Sequence, residues 1–143
     1  MKEALKEAQK AFEEDEVPVG AVVVYKDRII SRAYNQVERL KDPTAHAEML
    51  ALTSATNYVG SKWLLGASLY VTIEPCSMCV GALVLARPKN IYFGAKDPKT
   101  GACGSVLNIV KNKKLNHHLE VKGGILKEQC ALLLKEFFKK KRR

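Results

Sequence analysis

No apolar run in this chain approaches the roughly 20 residues that a membrane-spanning helix requires, so no such span is expected. The opening MKEALKEAQKAFEEDE lacks the basic, then apolar, then small-residue order of a secretory signal, and a cytoplasmic, reducing setting follows as the expectation. Cysteine is sparse, four in 143 residues. A chain of this length removes about two-thirds of its unfolded surface from water without cross-links. The cysteines therefore read as metal ligands, catalytic groups or buried filler before they read as bridges. No internal repeat, linker or low-complexity block interrupts the chain, and only its last residues, KKKRR, are biased. One domain spanning residues 1–143 is expected. Acid is scarce late in the chain: residues 87–143 hold four Asp/Glu against fifteen Lys/Arg, whereas residues 1–86 hold eleven against nine. The net charge of +9 thus resides in the second part. That clustering suits a solvated lysine-rich surface or an electrostatic footprint for a polyanion, and charge by itself does not choose between them.

What is present is an alternation of strand-like and helix-like segments. Met1, Leu5, Ala8 and Phe12 recur at helical spacing, which predicts an amphipathic helix over residues 1–14. VPVGAVVVY (17–25) is rich in β-branched residues and predicts a buried strand, turned by Lys26-Asp27-Arg28 into a second strand, IISRAYN. DPTAHAEMLALTSATNY follows, with Asp42 as candidate N-cap and Pro43 at the first helical position of a buried helix. SLYVTIE (68–74) predicts a third strand ended by Pro75, and Cys76 to Ala86 an interior helix. NIYFGA (90–95) is a fourth strand, Leu119 to Lys122 a short fifth, and Ile125 to Phe138 a last helix. The order implies a three-layer α/β domain, with a mixed sheet covered by helices on both faces.

The stretch TIEPCSMC concentrates two of the four cysteines, Cys76 and Cys79, at a predicted helix start. Cysteines three apart on a helix share a face, and the helix dipole favours their thiolates. His46 and Glu48 stand near the start of another predicted helix. One imidazole and two thiolates suit Zn²⁺ and leave a fourth position open, the mark of a catalytic site. A CxxC also serves as a redox pair, and a histidine on an apolar helix is often simply packed. His46 and Glu48, two apart on a regular helix, face about 200° apart, so both serve one site only off a helix N-terminus. The expected start at Asp42-Pro43 supplies that geometry. Cys103, Cys130, His117 and His118 are alternative fourth ligands; Cys103 in the shell would make a structural Cys₃His site. Cys130 lies on the apolar stripe of the last helix and reads as core.

HAE at 46–48 with PCSMC at 75–79 matches the HxE…PCxxC signature of zinc-dependent nucleoside and nucleobase deaminases. With VPVGAVVV, Asn35, DPTAHAEMLAL, FGAKDPKTGACGS, LNHHLEV and FFKKKRR, the whole chain resembles the bacterial tRNA-specific adenosine deaminases. The resemblance implies a cytidine deaminase-like fold with a mixed five-stranded sheet. It also implies conversion of adenosine to inosine at the wobble position of an arginine tRNA, on an anticodon stem-loop held by a homodimer. His46, Cys76 and Cys79 would hold one zinc per subunit, and Glu48 would shuttle protons without ligating. Val19, Asn35 and Ala47 would meet the target nucleoside, and Asp97 and Lys99 the flanking nucleotides. Phe137, Phe138, Lys140 and Arg142 would form an RNA-binding tail. Cys103 stands where the relatives have alanine, so it is expected to be a free thiol outside the zinc shell.

Overall fold

The computed structural model describes residues 1–142; Arg143, the last residue of the expected basic tail, lies outside them. Helix α1 (Lys2–Glu13) precedes a hairpin of β1 (Gly20–Tyr25) and β2 (Arg28–Tyr34). Then come a short helix α2 (Val37–Leu40), α3 (Ala47–Val59), β3 (Ser68–Ile73), α4 (Ser77–Ala86) and β4 (Asn90–Ala95). A 3₁₀ turn (Ile109–Lys111), β5 (Glu120–Lys122) and α5 (Lys127–Lys141) complete the order. The five strands form one mixed sheet ordered β2-β1-β3-β4-β5. β1 is antiparallel to both β2 and β3, while β3, β4 and β5 run parallel.

Helices cover both faces, as the alternating pattern predicts: α1 and α5 pack together over β1 and β4, and α3 packs on β1, β2 and α4. A strand covered on both sides has no polar face, which is why Gly20, Ala21, Val22 and Val23 are all buried. The core gathers Leu64, Leu69, Val71, Val80, Leu83 and Ile91, each 2 % exposed or less. Gly20 permits α1 to lie close on the sheet, because a Cβ there would meet the backbone at Ala4 and Ala8.

Three elements depart from the pattern reading, each because of where its backbone N–H groups find their partners. Strand β1 begins at Gly20 rather than residue 17, since the Val19 N–H bonds the Val17 carbonyl at 2.8 Å and Pro18 has no N–H to offer. The helix expected to start at Asp42-Pro43 starts at Ala47. Asp42 Oδ1 accepts hydrogen bonds from the Thr44 N–H (2.8 Å) and hydroxyl (2.7 Å), and the Ala45 N–H bonds the Asp42 carbonyl (3.1 Å), so a tight turn stands in place of a first helical turn. Helix α2 has no strong sequence signal; the buried Glu16 carboxylate accepts the Glu38 and Arg39 N–H groups at 3.0 and 2.8 Å and caps it from outside.

Among the described residues, no helix is long and apolar enough to cross a membrane. The close seat of α1 gives a direct test: Gly20→Ala inserts a methyl against the backbone of α1 and should cost about 2 kcal/mol. The measurement is the shift in urea midpoint at unchanged m-value.

Candidate active site

Two helix starts meet at one edge of the sheet. β2 and β3 end there and β1 begins there, with the Gly20 N–H bonded to Thr72 Oγ1 at 3.1 Å across the β1–β3 pair. His46 is the N-cap of α3 and Cys76 the N-cap of α4, both with extended backbone (φ −73°, ψ 149° and φ −77°, ψ 176°). Glu48 and Cys79 lie in the first turns of the same two helices. The convergence that the sequence required therefore exists, but off Ala47 rather than Asp42. With His46 outside the helix proper, the angular separation of a regular helix no longer applies to the His46–Glu48 pair.

His46 Nδ1 is 3.6 Å from Cys76 Sγ and 3.6 Å from Cys79 Sγ. The three ligand atoms lie within 4.8 Å of one another, and among the described residues no Cys103, Cys130, His117 or His118 joins them. Zn–N and Zn–S bonds of about 2.05 and 2.3 Å at a tetrahedral angle place N and S about 3.6 Å apart. The donor set and its spacing thus fit a tetrahedral ion with one position left over. His117 is engaged elsewhere, its Nε2 2.7 Å from the Pro88 carbonyl oxygen. Cys130 is buried behind β4, as its place on the apolar stripe suggests.

A cleft of about 740 Å³ opens over this triangle, lined by His46, Glu48 and Cys76 together with Val19, Asn35 and Asp97. Residues 1–142 match the family of MafB19-like deaminases. The tRNA-specific adenosine deaminase of Bacillus subtilis is 48% identical over 143 residues, covering 100% of this chain and 89% of that protein. That of Aquifex aeolicus is 52% identical over 142 residues, covering 99% and 93%. A solved structure from a study of A-to-I editing by tRNA:A34 deaminases at the wobble position superposes with TM-score 0.90 at 42% identity, covering 93% of this chain and 96% of that one. The chain belongs to the tRNA-specific adenosine deaminase family. The guanine deaminase of Nitrosomonas europaea, 23% identical with TM-score 0.78 over 94% of this chain and 80% of its own, shares the fold.

Within this family member the site's electrostatics follow from burial and from hydrogen bonds among its side chains. Desolvation pushes the Glu48 carboxyl up to about 7 in the metal-free protein, with its own backbone N–H and His46 working against that rise. Hydrogen bonding from Cys79 and His46 brings the Cys76 thiol down to about 4. The Cys79 thiol moves up, because it donates to Cys76 and is itself buried. His46 is raised by its bond to Cys76. Burial pushes Cys103 up to about 12, so it stays a neutral thiol.

The remaining expected residues divide by place. Val19 and Asn35 are buried in the cleft wall, and Asn35 Oδ1 accepts the Ala47 N–H at 2.7 Å, fixing the first turn of α3. Ala47 itself is fully buried with its N–H taken, so it stands behind the wall rather than in the cleft. Asp97 reaches the cleft, but Oδ1 accepts the Lys99 and Thr100 N–H groups (3.0 and 3.2 Å) and Oδ2 the Thr100 hydroxyl (2.6 Å). Lys99 is exposed on that loop. On α5, Phe137 is buried edge-on against Phe12 with centroids 6.0 Å apart and lines the cleft. Phe138 is 46 % exposed, Lys140 lies over the Phe12 ring, and Arg142 is exposed.

Two buried carboxylates beside the cleft escaped the sequence reading. Glu16 caps α2 beside the cleft. Glu74 ends the third strand and accepts the N–H groups of Asp97 (3.1 Å), Cys103 (2.9 Å) and Ser105 (3.1 Å) and the Ser105 hydroxyl. Burial opposes its charge, but those donors outweigh it and hold its pKa below the usual value. The available signal was an acid set in an apolar strand, which has to find donors when buried.

Because Glu48 is raised from 4.5 to about 7, the folded state binds its proton more tightly than the unfolded chain. Its contribution to stability is therefore lost as pH rises from about 4.5 to about 7. Glu48→Gln removes that dependence. The metal-free variant should gain about 3 kcal/mol relative to the parent between pH 4 and pH 8, read as the difference in thermal midpoints across pH.

Proposed function

We propose that this protein deaminates adenosine to inosine at the wobble position of a tRNA, an arginine tRNA, using one zinc ion per subunit of a cytoplasmic homodimer. Each subunit is a single deaminase domain over residues 1–143. The observation that carries the reading is the His46–Cys76–Cys79 triangle with Glu48 buried beside it, in a chain of this family. His46, Cys76 and Cys79 are the zinc ligands. The ion supplies Lewis acidity, the means of ionising water near neutral pH. Glu48 is the proton shuttle, buried in the cleft wall beside the three ligand side chains, where a carboxylate can accept and return a proton. It takes a proton from the attacking water as oxygen bonds to C6 of the adenine and passes it to N1. A second proton then moves through Glu48 to the C6 amino group, the C6–N bond breaks, and ammonia leaves. A carboxylate that also ligated the metal would have no free oxygen pair for this traffic.

Asn35 and Val19 in the cleft wall are proposed to hold the flipped-out nucleoside, Asn35 being braced by its bond to Ala47. Asp97 stands at the cleft edge and Lys99 beyond it, where the flanking nucleotides would lie. Phe138, Lys140 and Arg142 extend that RNA surface along α5, with Phe137 supporting them from beneath. The homodimer is the assembly that the family resemblance implies.

The deciding assay offers an arginine anticodon stem-loop with adenosine at the wobble position against free adenosine, cytidine and guanine, and follows inosine. Deamination of the stem-loop alone is expected. Glu48→Ala should retain one zinc per chain by metal analysis while losing about 1,000-fold in kcat; unchanged turnover would remove Glu48 from the mechanism.

Phosphate contacts by the lysine-rich second part should make KM for the stem-loop rise steeply with salt, each contact adding about 0.7 to the slope of log KM against log salt. A slope above about 2 is expected, and a flat response would sink the RNA surface.

A further inference from the structure

The loop from Asp97 to Ser105 has little regular structure of its own, yet it borders the cleft through Asp97 and Thr100. Besides bonds within itself and to the segment that follows it, such as the Ile109 N–H to the Ala102 carbonyl at 3.0 Å, the loop is tied to the end of β3. The Ala102 N–H bonds the Pro75 carbonyl at 2.9 Å, and Gly101 bridges Cys76. Every other bond that reaches the loop from the end of β3 goes to one side chain, Glu74, which is 2 % exposed and accepts from Asp97, Cys103 and twice from Ser105. The carboxylate thus spans both ends of the loop, with Oε1 taking Asp97 and the Ser105 hydroxyl, and Oε2 taking the Cys103 and Ser105 N–H groups. Gly101 sits so near it that a Cβ would strike the carboxylate. One residue separates Glu74 from Cys76, so a single strand end fixes both the zinc-ligand helix and the opposite cleft wall.

We propose that Glu74 is a positioning residue that clamps the Asp97–Ser105 loop into the shape that receives the nucleotides flanking the target adenosine, and so sets the preference for an RNA loop over a free nucleoside. The inference rests on the function proposed above for the same cleft. The reason is chemical: a carboxylate offers about four acceptor sites, and only a group with that capacity satisfies four donors from two separated points of one loop. An amide cannot replace it, because its NH₂ would face N–H groups. The clamp acts on substrate that extends beyond the base, so its loss should appear in recognition of the stem-loop before it appears in chemistry on the base.

The test compares Glu74→Gln and Ser105→Ala with the parent protein, zinc-loaded, by amide hydrogen exchange and by steady-state kinetics. Glu74→Gln should speed exchange at Asp97, Cys103 and Ser105 by about 10-fold or more while leaving Val80 and Leu83 in α4 unchanged, with one zinc per chain retained. Its KM for the stem-loop should rise about 10-fold with kcat within about 3-fold, and its activity toward free adenosine, where measurable, should not fall. Ser105→Ala, at an exposed position, should show the same pattern at about 3-fold, and it decides the matter if Glu74→Gln does not fold. Unchanged exchange and KM in the folded variants would overturn the proposal, as would loss of zinc with a fall in kcat and no change at the loop. If the parent protein deaminates no stem-loop, the function proposed above fails; the exchange measurements still report on the clamp.

Discussion

Everything in the site depends on two helices beginning at the same point in space with their first residues still extended. His46 and Cys76 occupy equivalent N-cap positions, and only that backbone lets an imidazole and two thiolates point off the helix ends toward one another at 3.6 Å. The sheet enforces the meeting. β3 delivers Cys76 directly, whereas His46 arrives through a turn closed by Asp42 and through the Asn35 side chain that holds the Ala47 N–H. Both helices begin at the cleft, with the first N–H of α3 held by Asn35, so their dipoles favour the thiolates and any negative charge that develops there.

The meeting of His46, Cys76 and Cys79 was legible in the sequence because a shared ion would demand particular residue types at short spacings, and HAE with PCSMC has that pattern. The mixed sheet was legible for a similar reason: runs such as GAVVVY and NIYFGA have no polar face and suit only strands buried on both sides. What could not be read were features set by a choice between local hydrogen bonds or by groups distant in sequence. The start of α3 was misplaced because Asp42 and Pro43 favour a tight turn as readily as a helix start, and the outcome depends on which N–H groups the aspartate reaches. Helix α2 exists because Glu16, 22 residues away, caps it. Phe137 reads as a tail aromatic in FFKKKRR, yet Phe12 on the first helix takes it into the interior. Single-sequence periodicity has no access to such pairings.

The three buried acids around the cleft illustrate how one residue type is put to different uses by its donors. Glu16 and Glu74 each accept several backbone N–H groups, which keeps a buried carboxylate tolerable and turns it into a strut for a loop. Glu48 is buried without a comparable set, so its charge is poorly compensated and its proton is held to about neutrality. The same burial that would be a liability in a strut fits the proton-carrying role proposed for Glu48.

Charge is arranged on a larger scale by the same logic. The cleft mouth carries Glu14, Asp15 and Glu38, and the Lys141 side chain that reaches it is paired with Asp15 at 2.5 Å. The excess positive charge instead lies outside, after β4 and on α5, at exposed positions such as Lys96, Lys99, Lys111, Lys135 and Lys139. A cleft that is itself acidic gains nothing from drawing in phosphate, whereas a basic surround holds a polyanion by its backbone and leaves the neutral base to enter alone. Under the proposed function, that division would assign attraction to the periphery and discrimination to the cleft, and a substrate consisting of the base alone would engage only the second.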